Sequence, residues 1–171
     1  MCFRSRGRQK IRNSRRRLRG WPMYSLMMIL GILILDRITK YMAVEHLHKI
    51  DTFPIMEGVL HLTYAENTGA AFSILTGRQN LLIVVTGMVI VVMCYFFWRE
   101  KKHMSAFANI AMSMVIGGAI GNWIDRIMFD YVIDFIDFRL IDFAIFNVAD
   151  SFIVVGAVLL GYTIIFDKAS A

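Results

Sequence analysis

The feature that most limits how this chain can fold is a series of four long apolar stretches. They run from about Trp21 to Met42, Leu81 to Trp98, Met104 to Ile124 and Ser151 to Phe166, and the last three carry no charge. A helix needs ~20 apolar residues to cross a ~30 Å hydrocarbon layer. The second and third stretches meet that length directly. The first and fourth meet it with their polar ends included, Asp36 to Lys40 and Asn147 to Asp150. In a chain of 171 residues, four such helices leave too little polypeptide to shield them from water, so buried core helices of a soluble domain are a poor alternative.

Charge gives the orientation. The net charge is +6, but residues 1–20 hold nine Lys/Arg and no acid, while the remainder holds ten against thirteen Asp/Glu. Arg99, Lys101 and Lys102 separate the second and third stretches, and Lys168 follows the fourth. Positive-inside counting then puts both termini in the cytoplasm and segments 43–80 and 125–149 outside. The division expected is a basic, disordered cytoplasmic tail over 1–20, touching anionic lipid, and a membrane domain over 21–171. Ser14-Arg-Arg-Arg-Leu18 has only a faint look of a twin-arginine export signal, and Met23 offers an alternative start. Nothing around the arm points to nucleic acid. Residues 59–64 partly alternate apolar and polar, as short strands do, and 131–143 mixes aromatics with acids, as an interfacial segment does. The expected fold is an all-α membrane protein of four transmembrane helices, with a small extracytoplasmic β-like platform between the first two.

Ionisable groups at the edge of a span are costly and point to function. Asp36 and Lys40 are four apart, on one helical face, and a local ion pair is their plain alternative. In Gly117-Gly-Ala-Ile-Gly-Asn-Trp-Ile-Asp-Arg126, Gly117 and Gly121 permit close helix packing, and Asn122, Asp125 and Arg126 follow at the external end. Asp130, Asp134, Asp137 and Asp142 precede Phe146-Asn-Val-Ala-Asp-Ser151, where Asn147 or Asp150 can cap the fourth helix. Two carboxylates brought together share one proton, so that one activates water while the other polarises a carbonyl. Other chemistries lack their residues. His46, His48, His61 and His103 show no metal-ligand spacing, Cys94 has no paired His, and Ser73, Ser113 and Ser151 have no local base. No metal and no cofactor are expected.

Five motifs in order resemble those of the lipoprotein signal peptidase (signal peptidase II) family of bacterial membrane aspartyl proteases. They are Asp36-x-x-Thr-Lys40, Asn67-Thr-Gly-Ala-Ala-Phe-Ser73, Gly117-Gly-x-x-Gly-Asn-x-x-Asp-Arg126, Val132-Ile-Asp-Phe135 and Phe146-Asn-x-Ala-Asp-Ser151, within residues 24–166. The resemblance implies cleavage of prolipoproteins before the diacylglyceryl-modified cysteine, with Asp134 and Asp150 as catalytic residues. It implies Asp36, Lys40, Asn67, Gly118, Asn122, Asp125, Arg126 and Asn147 as substrate-binding positions around them. It further implies lipid-modified signal peptides and membrane lipid as partners, inhibition by globomycin-type cyclic peptides, and a multi-pass place in the cytoplasmic membrane with the site facing out. Asp137 shares the Ile-Asp-Phe context of Asp134; Val132 and the spacing from Arg126 favour Asp134. A transporter or proton channel is the rival from another class, but it would place charge near mid-span. A lipid-transferring enzyme would more usually need a His or Cys acceptor.

Overall fold

A computed structural model describes residues 5–69, 77–100 and 103–166, with side chains from residue 23 onward. Residues 70–73 of the asparagine motif, including Ser73, lie outside the described residues, as do Lys101, Lys102 and Lys168. In chain order the elements are α1 (Ser5–Leu47), β1 (Thr52–Met56), β2 (Leu60–Asn67), α2 (Gln79–Glu100), α3 (Ala106–Phe129), β3 (Val132–Phe138), a 3-10 turn (Arg139–Ile141) and α4 (Val148–Phe166). The helical backbone of α1 starts at Ser5 and therefore runs through the arm expected to be disordered. Arginine is a good helix former, and a helix already begun downstream extends at little cost.

Among the described residues three helices, α2, α3 and α4, are long and apolar enough to cross a membrane. The two ends of α3 and the start of α4 are set by local chemistry. The Ser105 hydroxyl accepts a hydrogen bond from the Ala108 amide at the start of α3, and Asp130 ends it in the left-handed region at φ 64°. Asn147 caps α4: its Oδ1 accepts from the Asp150 amide at 2.9 Å, while Asp150 Oδ2 accepts from the Asn147 amide at 3.2 Å. This reciprocal pair satisfies two amides that the first turn would otherwise leave open.

Small residues let α3 and α4 touch. A side chain at Gly118 would collide with the Ala149 carbonyl, and one at Gly156 would come within 2.8 Å of the Ala111 carbonyl oxygen. Gly117 packs in the same way on Ile32 of α1, where an added Cβ would stand 3.2 Å from its side chain. The predicted small-residue stripe thus brings α1 and α4 against α3.

The external segments build one antiparallel sheet in the order β1-β2-β3. The expectation placed the platform between the first two spans; its third strand instead comes from the segment between α3 and α4. That segment reads as interfacial because Phe, Ile and Asp alternate in it, yet the alternation is that of a strand pairing with β2. Ala43, Leu47, Ile133 and Phe135 form a buried cluster with Leu62, Tyr64, Tyr131, Ile136 and Val148 packed on it, seating the sheet on the end of α1 and the start of α4. Beyond the turn, Phe146 bridges back to Ile136, its carbonyl accepting from the Phe135 and Ile136 amides. That return sets Asn147 beside β3 just before α4 begins.

Candidate active site

The site is built from one residue of each of four elements around Asn147. Its Nδ2 donates to Asp134 Oδ1 at 2.7 Å and to Asn122 Oδ1 at 3.1 Å. Its backbone amide donates to Asp150 Oδ2. A single residue therefore contacts both carboxylates, Asp134 from β3 and Asp150 from α4. Asn122 of α3 closes the ring by donating to Asp150 Oδ1 at 2.7 Å. Asn67, the last residue of β2, donates to Asp134 Oδ2 at 3.0 Å. Asn147 has no exposed surface and Asp134 only 2%.

Asp134 titrates abnormally. Burial, followed by the negative charge of Asp150, pushes its carboxyl up to about 7, against the opposing hydrogen bonds from Asn67 and Asn147. Asp137 behaves in the opposite way. Although its burial acts against ionisation, the Thr63 hydroxyl at 2.7 Å and the Arg139 guanidinium at 2.8 Å hold it below the usual carboxylate range. The two Ile-Asp-Phe repeats are thus distinguished by their neighbours: Asp134 meets Asn147 and Asn67, whereas Asp137 is held in a polar cluster across the sheet.

Beneath the asparagines lies a buried charge group. Lys40 Nζ lies 2.8 Å from Asp36 Oδ2, 2.7 Å from Asp125 Oδ2 and 2.9 Å from Asn122 Oδ1. Asp36 Oδ1 also accepts from the Ala149 amide at 3.1 Å. Asp36, Lys40 and Asp125 have 1%, 0% and 0% exposure, and their polar atoms face one another and the asparagines. The Asp36–Lys40 pair read from spacing is real, but it is also part of a larger network. Arg126 donates to the Gly69 carbonyl at 2.9 Å and so holds the chain just past Asn67, whose own Oδ1 accepts from the Gly69 amide. Gly118 stands apart, one turn before Asn122 in α3, at the contact with Ala149.

Sequence reasoning missed Arg37. Its guanidinium pairs with Asp125 Oδ1 at 2.9 Å and lies over the Phe129 ring, 5.8 Å from its centroid. The signal was present: a second cation one residue after Asp36 leaves a net charge that a buried partner has to balance.

A sequence model of the family described as Signal peptidase (SPase) II matches residues 28–166. The chain belongs to that family. It is therefore an aspartic peptidase of the signal peptidase II type, a membrane hydrolase with membrane-spanning helices. The lipoprotein signal peptidase of Caldanaerobacter subterraneus subsp. tengcongensis is 44% identical over 142 residues, covering 83% of this chain and 96% of that one. The enzyme of the same name from Clostridioides difficile is 39% identical over 149 residues, covering 87% and 99%. Among solved structures, a bacterial membrane enzyme determined in meso at 2.3 Å superimposes with a TM-score of 0.77 at 31% identity, covering 86% of this peptidase and 90% of that chain. A second, at 1.9 Å, gives 0.75 at 32% identity, covering 84% and 94%.

Proposed function

We propose that this peptidase removes the signal peptide from diacylglyceryl-modified prolipoproteins by hydrolysing the bond before the lipidated cysteine. Asp134 and Asp150 share one water at the outer interface of the cytoplasmic membrane. The observation that carries this reading is the contact of both carboxylates with the single residue Asn147, with Asp134 pushed up to about 7.

In this reading Asp150 serves as the ionised member: it lies in the first turn of α4, where the helix dipole favours an anion, and its carboxylate accepts from Asn122 and from the Asn147 amide. It takes a proton from water, whose oxygen attacks the scissile carbonyl carbon. Asp134, protonated, donates to the carbonyl oxygen. When the tetrahedral species collapses, the C–N bond breaks, the proton on Asp150 passes to the leaving amine of the lipidated cysteine, and Asp134 takes back a proton from the gem-diol as the carboxyl product forms. Asn67, Asn122 and Asn147 hold the carboxylate oxygens in place, and Arg126 keeps the Asn67 segment against the site. No cofactor is needed for this chemistry.

In this reading α1 is a fourth span. Its Asp36 and Lys40 are tolerated near the membrane edge because they are neutralised inside the bundle. Both termini are cytoplasmic, residues 1–20 form a basic tail at the lipid surface, 21–171 form the peptidase domain, and the sheet lies outside. Globomycin-type cyclic peptides are expected to block the site.

The test is processing of a lipidated prolipoprotein by purified Asp134→Asn and Asp150→Asn enzymes. Cleavage should fall by at least ~10³-fold in each, with insertion and folding retained. Cleavage kept near the parent rate in either variant removes that residue from the dyad.

A further inference from the structure

The asparagines that steer the dyad carry amides whose oxygen and nitrogen ends could in principle be exchanged. Their orientation is decided by whichever neighbour can only donate or only accept. Asn122 has such neighbours on both sides. Lys40 Nζ lies 2.9 Å from its Oδ1, and an ammonium has three donors and no acceptor. Those three donors meet three acceptors, on Asp36, Asp125 and Asn122. With Oδ1 turned to Lys40, Nδ2 is left for Asp150. The same Oδ1 accepts from Asn147 Nδ2, which in turn donates to Asp134.

We propose that Lys40 is a positioning residue that sets the direction of the Asn122 amide, and through it presents a hydrogen-bond donor to Asp150; the Asn147 amide is set by its own Oδ1, which accepts from the Asp150 backbone amide. It has no exposed surface, so it acts without touching substrate. A flipped Asn122 would turn its carbonyl oxygen toward Asp150, and two acceptors face each other only if a proton stands between them. The charged groups around this chain of bonds are Asp36, Arg37 and Lys40 of α1, Asp125 and Arg126 of α3, Asp134 of β3 and Asp150 of α4. Counterion service to Asp36 and Asp125 is the competing role for Lys40, and the test separates the two.

The inference rests on the dyad reading above. Two double variants are compared, Lys40→Met with Asp36→Asn and Lys40→Gln with Asp36→Asn. Both remove one positive and one negative charge and leave Asp125 paired with Arg37. They differ in whether residue 40 has a donor for Asn122. The Gln variant is expected to keep kcat within about tenfold of the parent. The Met variant is expected to lose about a hundredfold in kcat, the scale of a misplaced reacting group, with KM little changed. The acidic limb of its pH–rate profile should move up by about one pH unit, as a carboxylate that has lost a donor requires.

Equal kcat and superimposable pH profiles in the two double variants would overturn the proposal and leave Lys40 a counterion. If the dyad reading itself is wrong, the Asp134→Asn or Asp150→Asn enzyme keeps its activity, a different result. Should either double variant not be recovered folded, the parent enzyme decides. Slowly exchanging Asn122 side-chain amide protons, one of them shifted downfield by a carboxylate, are expected in its NMR spectrum. A freely rotating, fast-exchanging amide contradicts the proposal.

Discussion

Helices α2 and α3 have 22 and 24 residues, and both are long and apolar enough to span a membrane. In their apolar windows α2 buries 11% and α3 buries 56%. Only Leu82 and Ile90 are buried in α2, while Val84, Met88, Val91, Val92 and Phe96 lie open. In α3 the buried set is mostly small or polar: Ala108, Ala111, Gly117, Gly118 and Gly121 beside Asn109, Ser113, Asn122, Asp125 and Arg126, with Met114 and Ile116 as its two large apolar members. Bulk keeps α2 at the edge, with its side chains turned toward lipid. Smallness draws α3 to the centre, where it can carry groups that lipid would not tolerate. The more hydrophobic of the two helices is the one less buried, so in this chain hydropathy finds the span and residue size finds the site.

The contrast can be broken by substitution, starting where the effect is largest. Asp125→Ala leaves Lys40 and Arg37 short of a buried partner and should destabilise by about 3–5 kcal/mol, measured as loss of folded enzyme in detergent. Gly118→Ala places a methyl group against the Ala149 carbonyl. It should cost about 1–3 kcal/mol and lower kcat by moving the first turn of α4 that holds Asp150. Trp123→Phe removes the indole donor to the Ile83 carbonyl at 2.9 Å, a side-chain tie between α3 and α2. It should cost about 1 kcal/mol, read as a lower Tm with catalysis intact. Val91→Ala on the open face of α2 should stay within about 0.5 kcal/mol. An Asp125→Ala enzyme as stable as Val91→Ala would dissolve the distinction between the two helices.

Much of this arrangement can be read from residue order, and the limit is physical. Asp36 and Lys40 pair because helical spacing puts them on one face, and the glycines of α3 announce a close contact before the partner helix is known. Periodicity cannot say that Lys40 also reaches Asn122, 82 residues on, or that Asn122 reaches Asp150. Those links follow from how three helices pack. The strand at 132–138 is obscured because its acids and aromatics suit a membrane surface as well as a sheet, and only pairing with β2 separates the two. The choice between Asp134 and Asp137 needs the neighbours: Asn147 and Asn67 for one, Thr63 and Arg139 for the other. The five motifs led to the right family because each holds a piece of this network, although no single piece reveals it.

The raised Asp134 carboxyl gives the account its most direct check. A group whose folded value lies above its unfolded one adds stability that is present at low pH and lost as pH rises through the folded value. Protonated Asp134 therefore suits the fold up to about 7, and its ionisation above that opposes it. Infrared titration of the parent enzyme between pH 4 and 9, with Asp134→Asn as the reference, reads that proton through the carboxylic acid C=O band. The account predicts one buried acid band that persists to about pH 7, disappears above it and is absent from the variant. A parent spectrum with no such band above pH 5, both carboxylates already ionised, would contradict a dyad that holds one proton between two acids.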